Sequence, residues 1–222
     1  MTAALVDPAP SATATSERLL DAAEALFAER GIDAVSVRAV NAAAGANVAA
    51  VHYHFGSKDA LVEAVLRRRM DALSGRRLAM LDALPTEQPP AVHDVVVALV
   101  APLAELAADP AGSGRAYVRV LAGLQSGGPD GRRLLSAAFA PQFVPFDTAL
   151  ARAVPTIPEA VRHFRLGLVG PLVVQTLADP EASAVLLGLA PGDHDAVVTA
   201  LIDTVTGALA APVTTTRKGT RR

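Results

Sequence analysis

AGANVAAVHYHFGSKDAL, residues 44–61, decides how this chain is to be read. It gathers His52, Tyr53, His54, Phe55 and Lys58 beside bare alanines, in a protein of 4% aromatic content whose only lysines are Lys58 and Lys218. Taken as a helix capped by Asn47 and projected at about 100° per residue, it puts Val48, Val51 and Phe55 on one side, for burial. Ala49, Ala50 and Tyr53 point the other way, with His52 and His54 on the two flanks of that outward face.

The flanking sequence supplies the packing partners. SERLLDAAEALFAER, residues 16–30, spaces Leu20, Ala23 and Phe27 for one helical face, widened by Leu19 and Leu26, and Gly31 ends it. Ser36 is suited to cap a second, short helix facing inward through Val37, Val40 and Ala44, and Ala44-Gly45-Ala46 makes the turn of a helix-turn-helix. Gly56 breaks the third helix. Ser57 caps a fourth, with Asp59 at its positive end, which runs through Leu61, Val65, Leu66 and Leu73 toward Pro85 and carries Arg67, Arg68, Arg69, Arg76 and Arg77 on its surface.

A helix laid into a DNA major groove needs small residues where it meets base edges and polar ring atoms where it passes the phosphates. The outward face described above has that character. Ser36 and Ser57 start helices whose free N–H groups suit phosphate, Lys58 adds a charge beside the second, and Arg38 lies one turn into the second helix. The plainer reading, an aromatic cluster closing a small core, is the better account of Phe55. His52 and His54 are two residues apart, whereas metal ligands on one helix face need three or four, so a metal site is not expected. The run Arg67 to Arg69 reads as a solvated surface.

Composition bounds the rest. The 222 residues, 51% hydrophobic and rich in alanine, leucine and valine, favour an all-α protein of one or two domains. Cysteine is absent, which excludes disulfides, thiolate metal sites and a cysteine nucleophile. Nucleotide and hydrolase fingerprints are missing too: Gly112-Ser113-Gly114 is only a loop signal, so neither catalysis nor a cofactor is expected. The most apolar stretch, Ala91 to Ala108, is interrupted by His93, Asp94, Pro102 and Glu105, so no membrane span is expected and the cytoplasm is the expected location. Net charge is −2, and four of the basic residues fall in the tail after Val213, so attraction to nucleic acid has to come from a local patch.

Residues 16–62, from LLDAAEALFAERG through VSVRAVNAAAGANVAAVHYHFGSKDAL, resemble the DNA-binding domain of the TetR family of bacterial transcriptional regulators. The resemblance rests on the ordered set of phenylalanine, glycine, serine, Ala-Gly, Tyr-His-Phe and Ser-Lys. It implies DNA contacts at Ser36, Arg38, Asn47, Ala49, Ala50, His52, Tyr53, His54 and Lys58, to which the helix start at Ser57 is added. The chain departs from common family choices at Ala50, where threonine or serine is usual, at His52, where an aromatic is usual, and at Asn41, where alanine is usual. NVAAVHYHFGSK looks most like a branch containing fatty-acid-responsive members.

The expected organisation is a flexible arm over 1–15, the helix-turn-helix domain over 16–62, a larger helical domain over 63–211 and a basic disordered tail over 212–222. Within the larger domain, helices are expected at 91–108, 115–126, 131–140, 142–154, 158–178 and 193–211, separated by glycine and proline; 179–192 reads as a short helix or a loop. Phe139, Phe143, Phe146 and Phe164 are core by default, yet Pro141 and Pro145 can interrupt pairing and leave a cavity lined by these rings with Tyr117, Leu121 and Leu168. Arg119, Arg162 or Arg165 could then meet an acidic head group. The last two helices, with stripes of Leu168, Leu172, Leu201 and Val205, read as a two-fold dimer bundle or as a buried intrachain pair, and the resemblance tilts toward the dimer.

The expected function is a dimeric repressor that binds a palindromic operator in double-stranded DNA and is released by a small apolar effector. The competing readings are a helical small-molecule binding protein with lost DNA recognition and, more remotely, an all-α enzyme.

Overall fold

The structure is a computed structural model that describes residues 12–109, 112–190 and 192–214. Among these it contains helices and no strand. The first eleven residues of the expected arm and residues 215–222 of the expected tail lie outside the described residues.

Four helices come first: α1 (Ala12–Arg30), α2 (Val37–Ala43), α3 (Ala50–Phe55) and α4 (Lys58–Asp82). The first begins four residues before the expected start, taking Ala12 to Thr15 out of the arm. Its buried face is Leu19, Leu20, Ala23, Glu24 and Phe27. Ser36 Oγ accepts from Ala39 N at 3.2 Å and Ser57 Oγ accepts from Ala60 N at 3.1 Å, so both serine caps form as the sequence requires.

The remaining helices are α5 (Val92–Ala107), α6 (Ser113–Ser126), α7 (Pro129–Ala153), α8 (Glu159–Ala178), α9 (Pro180–Leu186) and α10 (His194–Ala210). At the centre stand α5 and α6, whose Val96, Val100, Leu103, Tyr117, Val118 and Leu121 are wholly buried. On one side they meet α1 and α4, and on the other α7, α8 and α10. Their crossing is close: a Cβ on Gly114 would collide with the Leu106 carbonyl, so only glycine fits there.

Two sequence expectations fail for physical reasons. Residues 131–140 and 142–154 form one helix, α7, that runs through Pro141 and Pro145. The prolines are four apart and lie away from the buried face of Leu135, Gln142, Phe146, Ala149 and Leu150. Burial of that face outweighs the two backbone bonds lost on the outer side. The second failure concerns the arginines of α4. Arg77 is buried, and Arg68 and Arg69 hold the sealed Glu24 carboxylate of α1 through bonds of 2.9, 3.0 and 3.2 Å. Arg68 also bonds Asp21 at 2.7 Å. Only Arg67 and Arg76 remain the solvated residues expected of that face.

This network ties the N-terminal helices to the long fourth one. Tyr117 on α6 adds a second tie, donating its hydroxyl to Leu66 O of α4 at 3.1 Å. Burial and nearby Glu24 push that phenol well above the usual tyrosine range, so it stays a neutral donor.

Candidate nucleic-acid interface and interior cavity

The short helix α3 is held by an unexpected residue. Its N-cap, Ala49, offers no side-chain hydrogen bond. Instead Asn41, buried on α2, accepts from Val51 N at 3.1 Å through Oδ1 and donates to Val48 O at 2.7 Å through Nδ2. One amide thus satisfies an orphan N–H of the first turn of α3 and clamps the turn before it. Asn47 was expected to cap the helix. It acts one step earlier, accepting from Ala49 N at 3.1 Å, while Ala50 N donates to Asn47 O at 2.9 Å.

Because residues 47–49 form this turn, the helical projection applies only from Ala50 onward. That corrects two assignments. Val48 is 76% exposed rather than core, and Ala50 is 8% exposed, facing inward beside Val51 rather than toward a ligand. Phe55 is partly buried against the core, as its plainer reading had it. Gly56, at φ 81°, ends the helix in a conformation that favours glycine.

What remains outward is compact. Tyr53 is 82% exposed, Ala49 and His52 are exposed, and His54 is half-buried with its ring edge-on to Tyr53 at 5.1 Å. His52 Nδ1 lies 3.1 Å from Gly56 O, which places a proton on Nδ1 and leaves Nε2 free toward solvent. On the neighbouring helix starts, Asn47, Arg38 and the serine caps Ser36 and Ser57 are also exposed, and the half-buried Lys58 reaches Asp33 O with its ammonium at 3.5 Å. The helix-turn-helix thus exposes small residues, a phenol and imidazole nitrogens on α3, with a cation near the start of α2 and another at the start of α4.

The second feature is a cavity of about 690 Å³ walled mainly by α7 and α8, with Arg77 of α4, Leu99 of α5 and Gln125 of α6 also lining it. Phe139, Phe143 and Phe146 line it. The other expected lining residues do not: Tyr117 and Leu121 are sealed in the α5–α6 core, and Phe164 and Leu168 face outward from α8, 66% and 57% exposed. The unbroken α7 and its neighbour α8 supply most of the wall instead.

The proposed head-group arginines are also occupied or elsewhere. Arg162 is paired with Asp147 at 3.0 and 3.2 Å, and Arg165 donates to Leu209 O at 3.0 Å and Ala211 O at 2.6 Å. Arg119 is exposed and does not line the cavity. The arginines that do are Arg77 and Arg132, neither of them singled out from the sequence. A signal existed for the first: Leu66, Met70, Leu73 and Arg77 share one helical stripe, so a charge falls where a buried apolar residue belongs.

The two last long helices, α8 and α10, pack against each other within the chain. Leu201 and Val205 of α10 pack inside the chain, while α8 keeps Phe164, Leu168 and Leu172 exposed on its outer face. Among the described residues no helix is long and apolar enough to cross a membrane.

Comparison with known proteins matches residues 19–65 to the model for bacterial regulatory proteins of the tetR family, and residues 97–208 to the tetracyclin repressor-like C-terminal domain. The HTH-type transcriptional repressor KstR2 of Rhodococcus jostii is 45% identical over 58 residues, a stretch covering 26% of this chain and 28% of that repressor. The curated relative is therefore matched over little more than a quarter of its length. Two solved structures share the fold: the fatty acid degradation regulator FadR from Bacillus halodurans, with a TM-score of 0.64 and 15% identity over 90% of this chain and 96% of the other, and FadR from Bacillus subtilis in complex with stearoyl-CoA, with a TM-score of 0.64 and 14% identity over 89% and 99%.

Proposed function

This chain belongs to the TetR family of bacterial regulatory proteins, and from that premise we propose that it is a transcriptional repressor that grips a palindromic operator as a homodimer and lets go when a small apolar effector fills its cavity. The observation that carries the reading is the exposed Tyr53 face of α3, fastened to α2 by the buried Asn41. It supports insertion of α3 into the major groove with phosphate contacts on both sides. Ser36, Arg38, Asn47, Ser57 and Lys58 take phosphates, and Ala49, His52, Tyr53 and His54 approach base edges. Ala50 is left out because it faces inward. Such a protein works in the cytoplasm, beside the chromosome.

The division of labour follows the chain: residues up to about 62 read DNA, and those beyond hold the effector and the dimer contact. The outer face of α8, with Phe164, Leu168 and Leu172, is the surface offered to a second copy. A two-fold dimer sets its recognition helices about 34–36 Å apart, or further on deformed DNA, and the effector acts by spoiling that spacing. KstR2, a transcriptional repressor matched over 28% of its length, is consistent with the repressor reading, and the stearoyl-CoA complex of FadR, 14% identical, with a regulator that answers to a small molecule.

A mobility-shift assay on DNA upstream of the protein's own gene, over a salt series, tests the reading. Binding that falls steeply with salt is expected, since each phosphate contact releases counterions. Binding no tighter than to unrelated DNA would instead favour a small-molecule binding protein that does not read DNA.

A further inference from the structure

Arg77 is a buried cation without an acid. It is 2% exposed, on the wall of the cavity, and its hydrogen bonds go to neutral acceptors: Nε to Leu99 O at 2.9 Å and Nη1 to Gln142 Oε1 at 3.1 Å. The guanidinium lies 5.6 Å from the centre of the Phe139 ring. A guanidinium has five N–H donors, and Nη2 has no hydrogen-bond partner among the described residues. That nitrogen is not sealed either, because the only fully buried side-chain polar atom without a partner among those residues is Thr206 Oγ1.

The electrostatics agree with the geometry. Desolvation pulls the Arg77 pKa down to about 10, and no carboxylate offsets it. Among the cavity-lining residues there are two arginines, Arg77 and Arg132, and no aspartate or glutamate. An arginine at the surface would shed this cost into water. A buried one keeps it until an anion arrives.

We propose that the cavity selects an apolar molecule ending in a compact anion, a carboxylate or a phosphate, and seats that anion on the free edge of Arg77 with the apolar body against Phe139, Phe143 and Phe146. The proposal rests on the reading of this cavity as the effector site, and it gives that effector a chemistry and an orientation, head inward. It also gives the ligand a handle on α4. Gln142 of α7 accepts from Arg77 and donates to Ser74 Oγ at 2.7 Å, so an anion on the free edge of Arg77 bears on a polar link between α7 and α4, the helix that follows the DNA-reading element. Arg132, exposed at the rim, marks the opposite orientation, head outward.

Competition against a fluorescent apolar probe on the full-length protein at pH 7.5 tests this with dodecanoate and dodecyl phosphate below their micelle concentrations and 1-dodecanol below its solubility limit. One or both anions should bind about tenfold or more tightly than the alcohol, the advantage of a charge-assisted bond made out of water. Whichever anion binds better identifies the source of the charge. In Arg77→Met the advantage should collapse while dodecanol affinity changes less than about threefold, and Arg77→Lys should retain part of it. Should Arg77→Met fail to fold, Arg77→Lys and Arg132→Ala still decide: the advantage should shrink in the first and persist in the second. Equal binding of anion and alcohol, no binding of any probe, or an advantage lost in Arg132→Ala and kept in Arg77→Met would overturn the assignment. The operator assay separates the two readings: operator binding without an anion preference sinks this inference alone, and an anion preference without operator binding sinks the repressor reading alone.

Discussion

Asn41 and Val51 are joined by a buried hydrogen bond of 3.1 Å from the Val51 N–H to the Asn41 side-chain oxygen, and this bond supplies the cap that α3 lacks in its own sequence. Asn41→Ala is therefore expected to cost about 1–3 kcal/mol, the penalty of leaving a buried donor and the Val48 carbonyl unmet. Urea unfolding gives the total, and amide exchange at Val51 shows whether the loss is local. A change below about 0.5 kcal/mol with unaltered exchange would mean that water replaces the amide at no cost.

The turn at residues 47–49 separates Val48 from Val51 in energy as well as place. Val48→Ala, at an exposed position, should change stability by less than about 0.5 kcal/mol. Val51→Ala, at a wholly buried one, should cost about 1–3 kcal/mol from lost burial and the void left behind. Comparable costs at the two positions would restore the projection that starts the helix at Val48.

The ion pair between α7 and α8 gives stability a defined dependence on acid. Its hydrogen bonds from Arg162, and secondarily from His163, hold the Asp147 carboxyl below its ordinary value of 3.8. A carboxylate depressed in the folded state stabilises fully above its unfolded pKa, and that contribution is lost as pH falls through the folded value. Wild type and Asp147→Asn should thus differ most above about pH 5 and converge only as pH falls below the folded-state value, itself under 3.8. Urea midpoints measured across that range check the sign. A gap that widens on acidification would contradict it.

An exposed apolar face on α8 should be covered by a second copy if the protein works as a two-fold dimer. The double variant Phe164→Asp, Leu168→Asp should sediment at half the wild-type mass at micromolar concentration and keep its helical circular dichroism. If the wild type is itself monomeric there, the dimer part of the account fails.

The sequence made much of this legible where local rules act alone. Ser36 and Ser57 capped as their type demands, Gly56 ended α3, and the stripe of Leu19, Leu20, Ala23 and Phe27 packed as its period required. It misled where tertiary contacts overrode local rules. Two prolines did not break α7, because the buried face from Leu135 to Leu150 outweighs two missing N–H groups. Ala50 turned inward because Asn41 reaches across from α2, a contact ten residues away that no periodicity reports. Arg77 hid among surface arginines in the sequence, although its place on the stripe of Leu66, Met70 and Leu73 was the available clue. The cavity was foreseen in its phenylalanines and misplaced in the residues that depended on a broken helix.

The central claim is that the face of α3 reads DNA while the cations beside it hold the backbone. Operator affinity measured over a salt series for wild type, Lys58→Ala and Tyr53→Ala tests it most directly. Lys58→Ala should weaken all sequences alike and lower the salt slope by about one, whereas Tyr53→Ala should narrow the gap between operator and unrelated DNA, by about 1–3 kcal/mol if it contacts a base. Tight, sequence-specific binding unchanged in both variants would contradict the account.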